Sequence, residues 1–262
     1  KILCITNDFG PRAGGIETFV MGLIERAPKG SIIVYTSAQG DTTSYDQGWM
    51  RDFGVEVIRD RSKILLPTPR VIRNVKKVIA RDSIKQVFFG AAAPLGVMSR
   101  TLRKKGVMNI VALTHGHEVW WAKLWPFSLA ISFIGNNVDH LTYLGDFTKS
   151  EIAKALSPKA KSRLIKIAPG IDTDHFAPDS TSEQLRSDLG LADNKVIFSV
   201  GRLVHRKGQD ILIQSLPAIL EKHPTAHILM VGEGPYRKDL TKMVEKLKLS
   251  AAVTRTRNSL IN

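Results

Sequence analysis

Nine short apolar runs recur along the chain, and almost none of them alternates with polar residues. They are 2–6 (ILCIT), 31–36 (SIIVYT), 55–58 (VEVI), 86–90 (QVFFG), 109–115 (NIVALTH), 140–144 (HLTYL), 163–168 (RLIKIA), 195–201 (KVIFSVG) and 227–232 (HILMVG). A strand wetted on one face alternates; a run that does not alternate must be covered on both faces. Between the runs, apolar spacing predicts helices near 16–27, 69–82, 93–105, 146–156, 207–222 and 235–248. Doubly covered strands separated by helices demand a parallel sheet with helices on either side, a doubly wound α/β architecture.

The pattern starts twice. The break is APGIDTDHFAPD, 168–179, punctuated by Pro169, Gly170 and Pro178. The expected organisation is two Rossmann-like domains, the second incomplete. A first domain covers 1–169, a hinge and linker 170–194, and a partial second domain 195–250. The last stretch, 251–262, is Thr-, Arg- and Asn-rich and reads as an irregular tail.

Charge is unevenly placed. The 262 residues hold 38 Lys plus Arg and 24 Asp plus Glu, a net +14. Residues 1–170 hold 25 basic and 13 acidic residues, a net +12, whereas 171–262 hold 13 and 11, a net +2. A field of that sign attracts phosphates. Nucleic acid is disfavoured as the partner, because the cations are not joined to an exposed aromatic platform or a helix-turn-helix signature. The single cysteine, Cys4, sits in an apolar run, reads as a small buried hydrophobe and cannot form an internal disulfide. That favours a cytoplasmic setting. The longest mostly apolar window, 125–135, falls short of the ~20 residues that a bilayer span needs.

Ligands of doubly wound sheets sit at the carboxyl ends of strands, against helix N-termini. Four strand ends stand out. NDFGPRAGGIET, 7–18, carries Gly14 and Gly15 into a helix start; a phosphate loop and a plain turn both fit. LTHGHEVWW, 113–121, offers His115, His117 and Glu118, without the H-E-x-x-H spacing of a zinc site. His115 is the candidate polar contact to a substrate, and a structural turn histidine is the alternative. SVGRLVHRKGQD, 199–210, places Arg202 and Lys207 between a strand and a helix N-terminus, an arrangement suited to a pyrophosphate. MVGEGPYRKDL, 230–240, turns through Gly232 and Gly234, as a nucleotide-facing loop or an ordinary turn would. The D-x-D of Asp172–Asp174 lies in the linker, where turn and capping roles are expected rather than metal binding.

Together GPRAGGIETFV, THGHE, APGIDTDHF, GRLVHRKGQDILI and VGEGPYRKDL resemble the successive signatures of the retaining GT-B glycosyltransferases of family 4. The resemblance runs from residue 1 to about 249 and is greatest to the actinobacterial phosphatidylinositol mannoside mannosyltransferases. It implies transfer of a hexosyl unit, mannose from GDP-mannose, to a lipid-linked acceptor with retention. It implies that Arg202 and Lys207 bind the donor diphosphate and act catalytically on the leaving nucleotide, with Gly14 and Gly15 closing on the same group. His115 would lie near the transferred sugar or the acceptor as a further catalytic candidate; His117, Glu118 and Trp120 are possible acceptor contacts. No cofactor or metal is implied. A UDP-sugar donor with a glycan acceptor is the variant within the family.

The family continues with a further strand and an acidic E-x7-E region that holds donor sugar and ribose, and 251–262 do not read as that strand. A truncated, weakly active or purely binding chain is therefore the rival expectation. Segment 69–82 (PRVIRNVKKVIARD) is a basic amphipathic helix whose Arg70, Arg73, Lys76, Lys77 and Arg81 suit anionic lipid, or else an ordinary surface helix. Trp120, Trp121, Trp125 and Phe127 suit an interfacial patch, a lid over the acceptor, or core packing. The expected location is peripheral, on the inner face of the plasma membrane.

Overall fold

The structure is a computed structural model that describes residues 1–174, 176 and 182–256. The chain divides into two compact units, Lys1–Asp172 and Thr173–Asn262.

Unit 1 holds seven parallel strands: β1 (Ile2–Thr6), β2 (Ile32–Thr36), β3 (Glu56–Arg59), β4 (Gln86–Phe89), β5 (Asn109–Ala112), β6 (His140–Tyr143) and β7 (Leu164–Lys166). Their order is β3-β2-β1-β4-β5-β6-β7. The helices are α1 (Gly15–Glu25), α2 (Thr43–Phe53), α3 (Pro69–Arg81), α4 (Ser99–Arg103), α5 (Glu118–Lys123), α6 (Phe127–Asn137), α7 (Asp146–Ala153) and α8 (Pro158–Lys161). β1 pairs with β2 from Ile2↔Ile32 to Thr6↔Thr36 and with β4 from Ile2↔Gln86 to Ile5↔Phe89. The order reverses at β1 and β4, which opens a crevice beyond their carboxyl ends.

Strand β1 shows why its run lacks alternation. Leu3 and Ile5 face one core with Ile33, Val75 and Phe89, while Cys4 faces the other with Phe19, Val20 and Trp49. Both faces are dry, so both sets are apolar.

Helix α3 starts where Thr68 Oγ1 accepts from the Val71 N–H, with Pro69 in the first turn. Val71, Val75, Val78 and Ile79 share one face and are buried against the sheet. Two features bear on the expectation that this helix lies on lipid. Its apolar stripe is used by the core and cannot enter a bilayer. Arg70 is held by Asp60 and Arg81 by Glu56 and Asp82, which leaves Arg73 and Lys77 exposed and Lys76 half-buried.

Helices α2, α5, α6 and the short α8 are additions to the set expected for unit 1. In α2, Tyr45, Trp49 and Phe53 recur every fourth residue, and Trp49 lies 6.4 Å from Tyr45 and 5.0 Å from Phe53. Three aromatics supply the buried stripe that many aliphatics supply elsewhere. Among the described residues, no helix is long and apolar enough to cross a membrane.

Unit 2 contains α9 (Ser182–Asp188), β8 (Lys195–Val200), α10 (Gln209–Lys222), β9 (Ala226–Val231), α11 (Arg237–Lys246) and β10 (Val253–Thr256). Its parallel sheet runs β10-β9-β8. Ile213 and Leu216 of α10 and Leu240 and Val244 of α11 pack with Ile228, Met230 and Val253. Two expectations are corrected here. The linker, 170–194, contains helix α9. The tail, 251–262, is not irregular throughout, because 253–256 (VTRT) pairs with β9 from Val253↔Ile228 to Thr256↔Val231. Its β-branched Val and Thr suit a strand, and the Thr256 carbonyl accepts from the Gly232 N–H at 3.2 Å. The remainder of that tail, 257–262, lies outside the described residues.

Candidate functional site

Unit 1 gathers its polar groups at the carboxyl ends of β1, β4 and β5. The loop after β1 is clamped from several sides. Asn7 pairs with both backbone groups of Leu65, donating at 3.0 Å and accepting at 2.7 Å. Gln39 donates to the Phe9 carbonyl at 2.5 Å and accepts from the Arg12 N–H at 3.1 Å. Arg59, paired with Asp46, donates to the Gly10 carbonyl at 2.7 Å. A side chain at Gly10 would collide with the Tyr45 hydroxyl.

Beyond this clamp lie the two glycines. Gly14 caps α1, and a Cβ there would overlap the buried Glu17 carboxylate. A Cβ at Gly15 would meet nothing within 4 Å, so packing does not require its glycine. Arg12 links the loop to the helix: its Nε donates to Glu17 Oε1 at 2.7 Å, and its guanidinium lies 3.6 Å from Asp8.

His115 stands across from this loop. Its Nε2 donates to the Gly90 carbonyl at 2.5 Å, which places a proton on Nε2; in the neutral ring Nδ1 is then the acceptor. Its backbone N–H donates to Glu118 Oε2 at 2.9 Å, and the Phe19 ring packs edge-on at 5.5 Å. Glu118 is fully buried, with Oε1 3.2 Å from His117 Nε2. Asp8 joins the cluster. Burial, then the Glu17 charge, raises its pKa, while His115, Arg12 and His117 oppose the rise. The loop after β1 and the histidines after β5 thus share one electrostatic site. Among the described residues no group of three or more His, Cys, Asp and Glu is arranged to hold a metal.

Unit 2 presents a second strand-end site. β8 leads to Gly201, at φ +152°, and β9 to Gly232, at φ +148°. A Cβ on Gly232 would overlap the Gly201 carbonyl, and one on Gly234 the Leu203 carbonyl. The missing side chains let the two strand exits interlock: the Leu203 N–H donates to the Glu233 carbonyl at 2.9 Å and the Tyr236 N–H to the Leu203 carbonyl at 3.2 Å. A 3₁₀ turn, His205–Lys207, then leads through Gly208, at φ +72°, into α10. Gln209 and Asp210 are buried beneath this turn, and the Tyr236 hydroxyl donates to Asp210 at 3.3 Å. Arg202, Arg206 and Lys207 are exposed, without an ion pair or side-chain hydrogen bond to another described residue. Cations without a described partner beside the positive end of a 14-residue helix are an arrangement that can hold an anion.

The expected residues therefore fall in two groups. Gly14, Gly15, His115, His117 and Glu118 belong to unit 1, and Arg202, Lys207, Gly232 and Gly234 to unit 2. Trp120 is 68% exposed, out in solvent on α5. Sequence reasoning missed Asp8, Arg12, Glu17 and Gln39. Asp8 and Glu17 carried a signal, since they flank the glycine loop directly after β1. Gln39 carried none, because its partners lie 27 and 30 residues away.

The profile of the "Glycosyl transferases group 1" family matches residues 181–259. A GDP-mannose-dependent α-(1-6)-phosphatidylinositol monomannoside mannosyltransferase of Mycolicibacterium smegmatis is 38% identical over 258 residues, 98% of this chain and 67% of that protein. The chain belongs to the group 1 glycosyltransferases. A GDP-mannose-dependent monoacylated α-(1-6)-phosphatidylinositol monomannoside mannosyltransferase of Corynebacterium glutamicum is 35% identical over 246 residues, 93% of this chain and 64% of that one. This glycosyltransferase thus spans about two thirds of the length of these relatives. In fold it matches Anabaena HepE in complex with UDP, with a TM-score of 0.76 and 18% identity over 98% of this chain and 69% of that one. The likeness places its α/β architecture among the GT-B enzymes.

Proposed function

We propose that this glycosyltransferase moves a mannosyl unit from GDP-mannose to a phosphatidylinositol mannoside type of lipid, with retention, at the inner face of the plasma membrane. The observation that carries the reading is the exposed pair Arg202 and Lys207, without an ion-pair partner among the described residues, at the mouth of β8 and the N-terminus of α10. These two groups bind the donor diphosphate. As the bond from the anomeric carbon to the phosphate oxygen breaks, negative charge grows on the departing nucleotide. Fixed cations and a helix N-terminus stabilise that charge more than they stabilise the ground state. The acceptor hydroxyl oxygen forms the new bond, and its proton leaves with the diphosphate. Cations in this role make a metal unnecessary.

Gly14 and Gly15 form a phosphate-facing loop of unit 1 at the N-terminus of α1. The open space at Gly15 supports this reading, since a closely approaching ligand would exclude a side chain where the protein does not. His115 offers Nδ1 to a hydroxyl of the transferred sugar, with its ring fixed by Gly90 and Phe19. His117, Glu118 and Trp120 serve the acceptor, and Gly232 with Gly234 the nucleotide side. The specificities by which the two mannosyltransferase relatives are named support the donor and acceptor.

The test is calorimetric titration with GDP, UDP and GDP-mannose, followed by transfer of labelled mannose to a phosphatidylinositol monomannoside and NMR of the product anomer. GDP binding tighter than UDP binding, with an α-linked product, is expected. No affinity for any nucleoside diphosphate sinks the proposal. Tighter UDP binding moves the donor to a UDP-sugar, and an inverted anomer removes retention.

A further inference from the structure

Five large apolar side chains on the α5–α6 hairpin lie outside the core: Trp120 (68% exposed), Leu124 (51%), Trp125 (80%), Phe127 (45%) and Leu129 (59%). They fall within ten consecutive residues. Ordered backbone carries them, since the Leu124 N–H donates to Trp120 at 3.2 Å, Ser128 to Leu124 at 2.9 Å and Leu129 to Pro126 at 3.0 Å. Trp121 anchors the hairpin from within: it packs against the core and meets the Phe127 ring at 4.9 Å. Phe147, 70% exposed, stands at the start of α7, which Lys123 ties to α5 through Glu151 at 3.0 Å. Trp120, Trp125, Phe127 and Phe147 are all the exposed large aromatics among the described residues of unit 1. Single exposed apolar residues are ordinary, but aromatic rings gathered on one hairpin mark a contact surface.

The surroundings say what the contact is with. Residues 1–170 carry a net +12, which suits an anionic surface. Of the acids on α5–α7, Glu118 is fully buried beside His117 and Glu151 is buried and bound by both Lys123 and Lys154, a trio that is net cationic; Asp146 is the one exposed acid among them. The apolar stripe of α3 is buried, so that helix can hold a membrane only by charge. Tryptophan favours the headgroup level of a bilayer, where an apolar ring and a polar N–H are both accommodated. We propose that the α5–α6 hairpin is the seat by which unit 1 enters the interface of an anionic lipid bilayer, with Trp120 and Trp125 at headgroup depth. The inference rests on the lipid-acceptor reading above, but its test does not depend on transfer.

All four tryptophans lie in unit 1, three of them in or beside this hairpin, and the fourth, Trp49, is buried. Tryptophan emission therefore reports on the hairpin. The full chain is mixed with phosphatidylcholine–phosphatidylglycerol vesicles, with and without brominated phosphatidylcholine. A blue shift and quenching by the brominated lipid are expected. The Trp120→Ser/Trp125→Ser variant, with unchanged circular dichroism, should partition at least about tenfold more weakly. Co-sedimentation with vesicles but no quenching overturns the proposal, because the seat then lies elsewhere. Equal partition of the variant overturns it as well, as does a dimer of the native chain that the variant converts to monomer without any vesicle signal. Absent transfer with intact quenching would defeat the catalytic reading and leave this one standing.

Discussion

Replacing Asp60 by Asn tests how unit 1 is held together beneath its basic helix. The Asp60 side chain is 1% exposed. It accepts from Arg70 Nη1 at 2.9 Å and Nη2 at 2.7 Å, from the Tyr35 hydroxyl at 2.5 Å and from the Ser62 N–H at 2.9 Å. Breaking a buried ion pair from one side costs about 3–5 kcal/mol. Arg70 is a quarter exposed and can regain water, so the lower end applies, about 3 kcal/mol. For a unit of this size that lowers Tm by roughly 6–12 °C. Because every tryptophan lies in unit 1, fluorescence-monitored melting isolates its transition. The pH dependence gives a second reading. Burial acts to raise the Asp60 pKa, but the bonds from Arg70, Tyr35 and Ser62 outweigh it and hold the carboxyl well below the usual range. A depressed carboxylate contributes stability that is present above its unfolded pKa, about 3.9, and is lost as pH falls toward the folded value. The gap between native chain and variant should be full at pH 7 and shrink below about pH 4 by roughly 1.4 kcal/mol per unit. Equal melting temperatures at pH 7, or a gap that does not narrow in acid, would refute the reasoning.

Three further outcomes are expected. Arg202→Ala and Lys207→Ala should each weaken nucleoside diphosphate binding about 10–100-fold by calorimetry, since a hydrogen bond to a charged group is worth about 1.5–3 kcal/mol. Neither should change the melting temperature, because neither side chain has an internal partner among the described residues. Gln39→Ala removes both bonds that bracket Phe9 and Arg12; steady-state kinetics should show transfer slowed about tenfold, with nucleotide affinity unchanged. Gly15→Ala should leave stability within about 0.5 kcal/mol, as the site has room for a methyl, yet impair donor turnover; unimpaired turnover would remove the role proposed for Gly15.

The sheet of unit 1 is legible in the sequence because strands such as β1 bury both faces and so write continuous apolar runs. Helix α2 is not, since three aromatics among polar residues carry its buried face. Strand β10 is hidden for a related reason: VTRT is polar, and its identity depends on pairing with β9. That Gly14, His115 and Lys207 lie next to strand ends can be read from position alone. Arg59 and Gln39 cannot, because each acts on the glycine loop across tens of residues, and only the folded sheet brings them there. Arg70 has the spacing of a surface cation, since a helical pattern does not reveal the buried carboxylate of Asp60 just past β3.

The interlocked exits of β8 and β9 set a limit on how unit 2 can vary. The atoms that exclude a side chain at Gly232 and Gly234 are the carbonyl oxygens of Gly201 and Leu203, and every amino acid carries such an oxygen. No replacement at 201 or 203 can make room, so a change at either glycine has no compensating partner on the facing loop. Divergence in this region must proceed through the side chains that the loops display, while the backbone joint beneath them stays as it is. On the function proposed above, donor preference would shift by altering what surrounds Arg202 and Lys207 without moving the frame that presents them.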